Sequence, residues 1–140
     1  MTSALQPLLG IVLCGFFIFL ARRFAAQREV GFYAVGLVVA SIIYLGFALG
    51  SEGLSWLFVE LLGVAIFTFS AWLGVNVSAQ FLAVGWALHA AWDGLMHTIE
   101  GAGFVPIWYP PACLAFDLVL AAYIFLVLHK EKLHPSQLDR

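Results

Sequence analysis

His89, Asp93 and His97 stand four residues apart in the run Trp86-Ala87-Leu88-His89-Ala90-Ala91-Trp92-Asp93-Gly94-Leu95-Met96-His97. On an α-helix that step returns a side chain to the same face, about 6 Å further along the axis. Imidazole and carboxylate one turn apart can share a divalent ion, as the paired histidines of zinc-protease helices do. They can equally pass a proton between them. Two more carboxylic acids, Glu60 and Asp117, lie inside other apolar runs. All the Lys and Arg residues fall at or before Arg28 or at or after Lys130. Carboxylates kept together without a cationic partner in a low dielectric cost several kcal/mol each. Their charge must therefore be met by protons, by imidazolium, or by a foreign cation.

The elements that carry these groups read as membrane helices. Of 140 residues, 64% are hydrophobic and 10% charged, with mean hydropathy +1.02. A soluble domain carries about 25% charged residues, so lipid is the expected solvent. The net charge of -2 and the absence of a basic patch with interleaved aromatics exclude nucleic acid as a partner. Five apolar runs predict helices at about 7–24, 31–49, 54–75, 78–99 and 111–129. The expected architecture is an all-α five-helix transmembrane bundle in one integral-membrane domain over 1–140, with 130–140 a polar tail. Cys14 does not sit in a lipoprotein box, because Leu13 is too large. Arg22 and Arg23 follow the first run instead of preceding it, so that run is expected to be retained.

With five spans, Arg22, Arg23 and Arg28 share a side with Lys130, Lys132 and Arg140, whereas Glu52 and Glu100 lie opposite. This predicts an outward N-terminus and a cytoplasmic C-terminus, in a bacterial inner membrane crossed several times. Counted at 1.5 Å per residue, Glu60, Asp93 and Asp117 each lie roughly 10 Å below the outer surface, with Tyr44 at a similar level. Helical side chains lean toward the N-terminus, which brings His97 toward the same depth.

The expected metal ligands are Glu60, Asp93, His97 and Asp117, around zinc or iron. His89 is about 12 Å from His97 along the axis, and serves as orienter, second-metal ligand or proton acceptor. Those five residues are the catalytic candidates. Tyr44, Trp86, Trp92 and Trp108 are candidates to line a substrate cavity. Plainer readings stand beside these. Asp and His can be interhelical hydrogen-bond partners, the tryptophans can simply pack, and Cys113, one turn before Asp117 on the same face, can be a soft metal ligand or, more plainly, a small hydrophobe. Gly46–Gly50 and Ser70–Gly74 have helix-contact spacing that also arises by chance. The segment Gly101–Pro111, which carries Phe104, Ile107, Trp108 and Tyr109, is expected to fold back over the outer mouth as a lid or an anchor.

Trp86 through Asp93 with His97, then Val105-Pro106-Ile107-Trp108-Tyr109-Pro110, then Cys113 through Phe116-Asp117, resemble an uncharacterised family of small bacterial integral-membrane proteins. The resemblance covers nearly the whole chain. It implies a multi-span architecture and brings no established activity. Sterol isomerases of the emopamil-binding type and intramembrane zinc hydrolases are similar in theme, holding His, carboxylates or Trp inside a helical bundle. Their span pattern and motif order differ, so no residue role is taken from them.

The expected function is a metal-dependent or acid/base membrane enzyme, a hydrolase or isomerase, acting on a hydrophobic or lipid-like substrate. The alternatives are a proton-coupled carrier of a small cation and a non-catalytic subunit of a larger complex. A homo-oligomer is also considered.

Overall fold

The computed structural model describes residues 4–50, 54–99 and 103–128. Five helices follow one another: α1 Leu5–Phe24, α2 Glu29–Ala48, α3 Leu54–Asn76, α4 Ala79–Trp92 and α5 Tyr109–Tyr123. A short 3-10 turn, Ala26–Arg28, joins α1 to α2. Among the described residues there is no strand.

The helix ends follow local chemistry. Arg22 and Arg23 occupy the last turn of α1 and Glu29 the first turn of α2, each the sign that the helix dipole favours. Ser78 caps α4 by accepting from the Gln80 backbone N–H at 3.3 Å. Pro110 and Pro111 stand in the first turn of α5, where a missing N–H costs nothing. That is why α5 begins two residues before the expected boundary.

Four helical segments, Leu5–Phe24, Ala26–Ala48, Leu54–Asn76 and Tyr109–Leu128, are long and apolar enough to cross a membrane. They support a membrane protein. The surface agrees: Phe58, Phe69, Trp72 and Val39 are all at least half exposed, a pattern that water would not tolerate over so wide an area. The fourth predicted span differs from the rest. It is α-helical for 14 residues and continues as a seven-residue π-helix, Asp93–Ile99. A second π-segment, Ile124–Leu128, ends α5. Glu52, Glu100 and the 130–140 tail lie outside the described residues.

The neighbours run in the order α1, α5, α4, α3, α2, with α2 also reaching α4. The bundle curls round until α1 and α2 face each other, but these two meet little beyond Phe17 and the Arg22–Glu29 pair. Close approaches are set by small residues. A Cβ on Gly10 would overlap the Ala112 carbonyl, so α1 and α5 touch backbone to backbone there. Ser70 and Gly74 do face α4, against Gly85 and Leu82. Gly46 faces open space, so the Gly46–Gly50 spacing carries no contact.

At the arginine end, Glu29 is buried and its carboxylate accepts from Tyr33 and Tyr123 at 2.7 and 2.8 Å. Arg22 stands 3.5 Å away. This network ties α1, α2 and α5 together. The sequence carried a hint of it in the four-residue step from Glu29 to Tyr33.

Candidate functional site

Toward the opposite end, every ionisable residue expected in the interior is buried: Glu60, His89, Asp93, His97 and Asp117. They form two layers. In the deeper layer, His89 Nδ1 lies 2.7 Å from Asp117 Oδ2 and 3.6 Å from Asp93 Oδ2. The Cys113 thiol stands 3.9 Å from the same Asp117 oxygen. One ligand atom from each of His89, Asp93, Cys113 and Asp117 lies within 4.8 Å of all the others. The donors come from α4, the start of its π-continuation, and α5.

The shallower layer pairs His97 with Glu60. His97 Nε2 approaches Glu60 Oε1 at 3.2 Å, an ion-pair distance. Trp92 donates from Nε1 to the other Glu60 oxygen at 3.4 Å. Tyr44 links the layers. Its ring stacks on His97, with centroids 4.1 Å apart and planes 9° apart, and stands 5.8 Å from the His89 ring.

This arrangement differs from the expected ligand set of Glu60, Asp93, His97 and Asp117. Glu60 and His97 stand outside the tetrad, whereas His89 and Cys113 stand inside it. The physical reason lies in α4. Beyond Trp92 the backbone changes to i→i+5 hydrogen bonding. The wider turn moves His97 off the line of His89 and Asp93 and toward α3. Asp117, meanwhile, hydrogen-bonds His89, one turn deeper than the helix-rise estimate placed it. Cys113 was visible in the sequence through its four-residue step to Asp117. Nothing local distinguished a ligand there from a small apolar residue.

Two atoms of the tetrad are short of partners. His89 Nε2 and Asp117 Oδ1 are buried and find no hydrogen-bond partner among the described residues. Native interiors leave few such atoms unsatisfied. The remaining expected residues frame the two layers. Trp86 is buried edge-on to His89 at 6.3 Å. Trp92 packs its ring on Phe67 and against Gly63, where a Cβ would stand 3.2 Å from the indole. Trp108 is half exposed, beside Tyr109. The described part of the expected lid does fold back. Phe104 packs on Trp56 at 5.4 Å and over His97 at 6.3 Å, and Val105 is buried with Tyr44. These side chains close the shallow layer from above.

A family model described as a family of unknown function (DUF6010) matches residues 5–130, and the chain belongs to that family. No curated protein and no solved structure matches it.

Proposed function

We propose that this protein is a membrane-embedded enzyme, a hydrolase or isomerase, whose centre is a divalent metal site acting on a hydrophobic or lipid-like substrate. The observation that carries this reading is the tetrad. Nitrogen, sulfur and two carboxylate donors come within 4.8 Å of one another, in an interior with no Lys or Arg between Arg28 and Lys130. A divalent cation would supply the missing positive charge, engage His89 Nε2 or Asp117 Oδ1, and polarise a bound substrate. The mixture of imidazole, thiolate and carboxylate suits zinc first and iron second.

The chain's own groups take the remaining tasks. Asp117 orients the His89 ring through the 2.7 Å contact. Glu60, held by Trp92 and paired with His97, is placed to take or return a proton above the tetrad. Phe104, Val105 and Trp56 keep water from that side. The same His89–Asp117 hydrogen bond favours one second reading, in which the residues act as a metal-free acid/base pair on the same class of substrate. The interior weighs against a cation carrier. Among the described residues below His89, toward the arginines, Leu37, Leu82, Trp86, Leu120 and Ile124 fill most of the buried interior, with Ser41 the polar side chain between them and the Glu29 network.

We further place the chain in a bacterial inner membrane with the arginine end cytoplasmic, on the one-sided distribution of Lys and Arg. Metal analysis of the protein purified in mild detergent tests the central reading. Stoichiometric zinc or iron is expected. Protein without metal, whose stability chelators leave unchanged, would overturn the metal site in favour of the acid/base pair.

A further inference from the structure

The seam between α1 and α2 opens into a cavity of about 290 Å³. Its lip is made by Leu13, Val39 and Ile43, apolar side chains that are 47, 50 and 38% exposed. Its walls include Phe17, Gly36 and Ala40. Its floor holds Cys113 and Asp117, two members of the tetrad, and Trp108 and Tyr109 stand at its outer rim. Phe17 closes it toward the arginine end: a Cβ on Gly36 would stand 2.7 Å from the Phe17 ring.

Three features fix what can occupy such a space. The lip lies on the membrane-facing side of two helices that are themselves long and apolar enough to span, so the opening gives onto hydrocarbon. The approach from the aqueous end is covered by Phe104, Val105 and Trp56. Polar groups are confined to the floor and to the rim, where an indole and a phenol suit a headgroup region. A bilayer molecule with one slender hydrocarbon chain meets all three conditions.

We infer that the α1–α2 seam is a lateral portal through which a single-chain amphiphile of the bilayer reaches the tetrad, lying between α1 and α2 with its reacting group at Cys113 and Asp117. This rests on the proposed enzyme reading for its purpose, but the portal can be tested without it. Ala40 and Ile43 line the passage and take no part in the polar layers, so bulk at either position narrows the route and leaves the donors in place.

Cys113 is the reporter, and fully buried Cys14 is the internal control. The protein is placed in phosphatidylcholine nanodiscs, treated with chelator to free the thiol, and exposed to N-hexadecylmaleimide or to a charged, water-soluble methanethiosulfonate. Adducts are located by mass spectrometry. The expected result is alkylation of Cys113 by the lipid-phase reagent at least about tenfold faster than modification by the aqueous one, with Cys14 unmodified. Ala40→Trp and, independently, Ile43→Trp slow the lipid-phase reaction by at least about tenfold, while Val75→Trp on another lipid-facing surface leaves it unchanged. The portal is overturned if the aqueous reagent reaches Cys113 as fast, if the lipid reagent fails to reach it, or if both seam variants react like the parent while Cys14 stays protected. Metal content is measured on the same variants before chelation. Loss of the portal with metal retained separates this inference from the enzyme reading, and a working portal in metal-free protein separates them the other way.

Discussion

Cys113 and Glu60 carry opposite meanings once the two layers are resolved. Cys113 contributes sulfur to the deeper layer, where His89, Asp93 and Asp117 converge. Glu60 sits one layer above, engaged by His97 and Trp92. The division predicts unequal effects on metal content. Cys113→Ser and Asp117→Asn should each weaken zinc binding by at least about tenfold, since losing even an outer partner of a metal ligand costs that much. Glu60→Gln should leave zinc stoichiometry at the parent level. Competition with a calibrated chelator, read by elemental analysis, checks both. Equal loss in all three variants would mean that the ion sits between the layers instead.

The helices themselves were legible in the chain, because long apolar runs bounded by Gly, Ser, Pro and the arginine cluster leave little choice of element. The burial of Glu60, His89, Asp93, His97 and Asp117 was legible too. What the pattern could not reveal was the change of hydrogen-bond register at Asp93. A π-segment has no hydropathy signature of its own, and it decides whether His97 looks at Asp93 or at Glu60. Nor could spacing alone show that α1 docks on α5 instead of closing onto α2. That docking depends on Gly10, where the helix backbones meet. Gly10→Ala should therefore destabilise by about 1–3 kcal/mol, the usual range for forcing volume into a packed contact. Gly46→Ala, at a helical position facing open space, should be neutral or stabilising by up to about 1 kcal/mol. Thermal melts in detergent compare the two, and a similar fall for both would count against the α1–α5 contact.

Seen whole, the molecule keeps buried polar groups at both ends, a carboxylate–tyrosine network at one and the two His/carboxylate layers at the other. The arginine end is tied by the Glu29 network across α1, α2 and α5, the middle is mostly apolar, and the far end holds both layers under Phe104 and Val105. That arrangement gives the orientation a consequence. With the arginines cytoplasmic, a fluorescent protein fused to the C-terminus should fold and fluoresce, and alkaline phosphatase in the same place should be inactive. The reverse pattern would place both polar layers in the cytoplasmic half of the membrane. It would also move the portal to the inner leaflet.

The coordination of the metal is the most direct test of the proposed centre. X-ray absorption on the purified, zinc-loaded protein should find four donors, including one sulfur at about 2.3 Å and nitrogen or oxygen at about 2.0–2.2 Å. Cys113→Ser should remove the sulfur signal. A zinc environment of nitrogen and oxygen alone in the parent protein, or a protein that takes up no zinc, would contradict a centre built from His89, Asp93, Cys113 and Asp117.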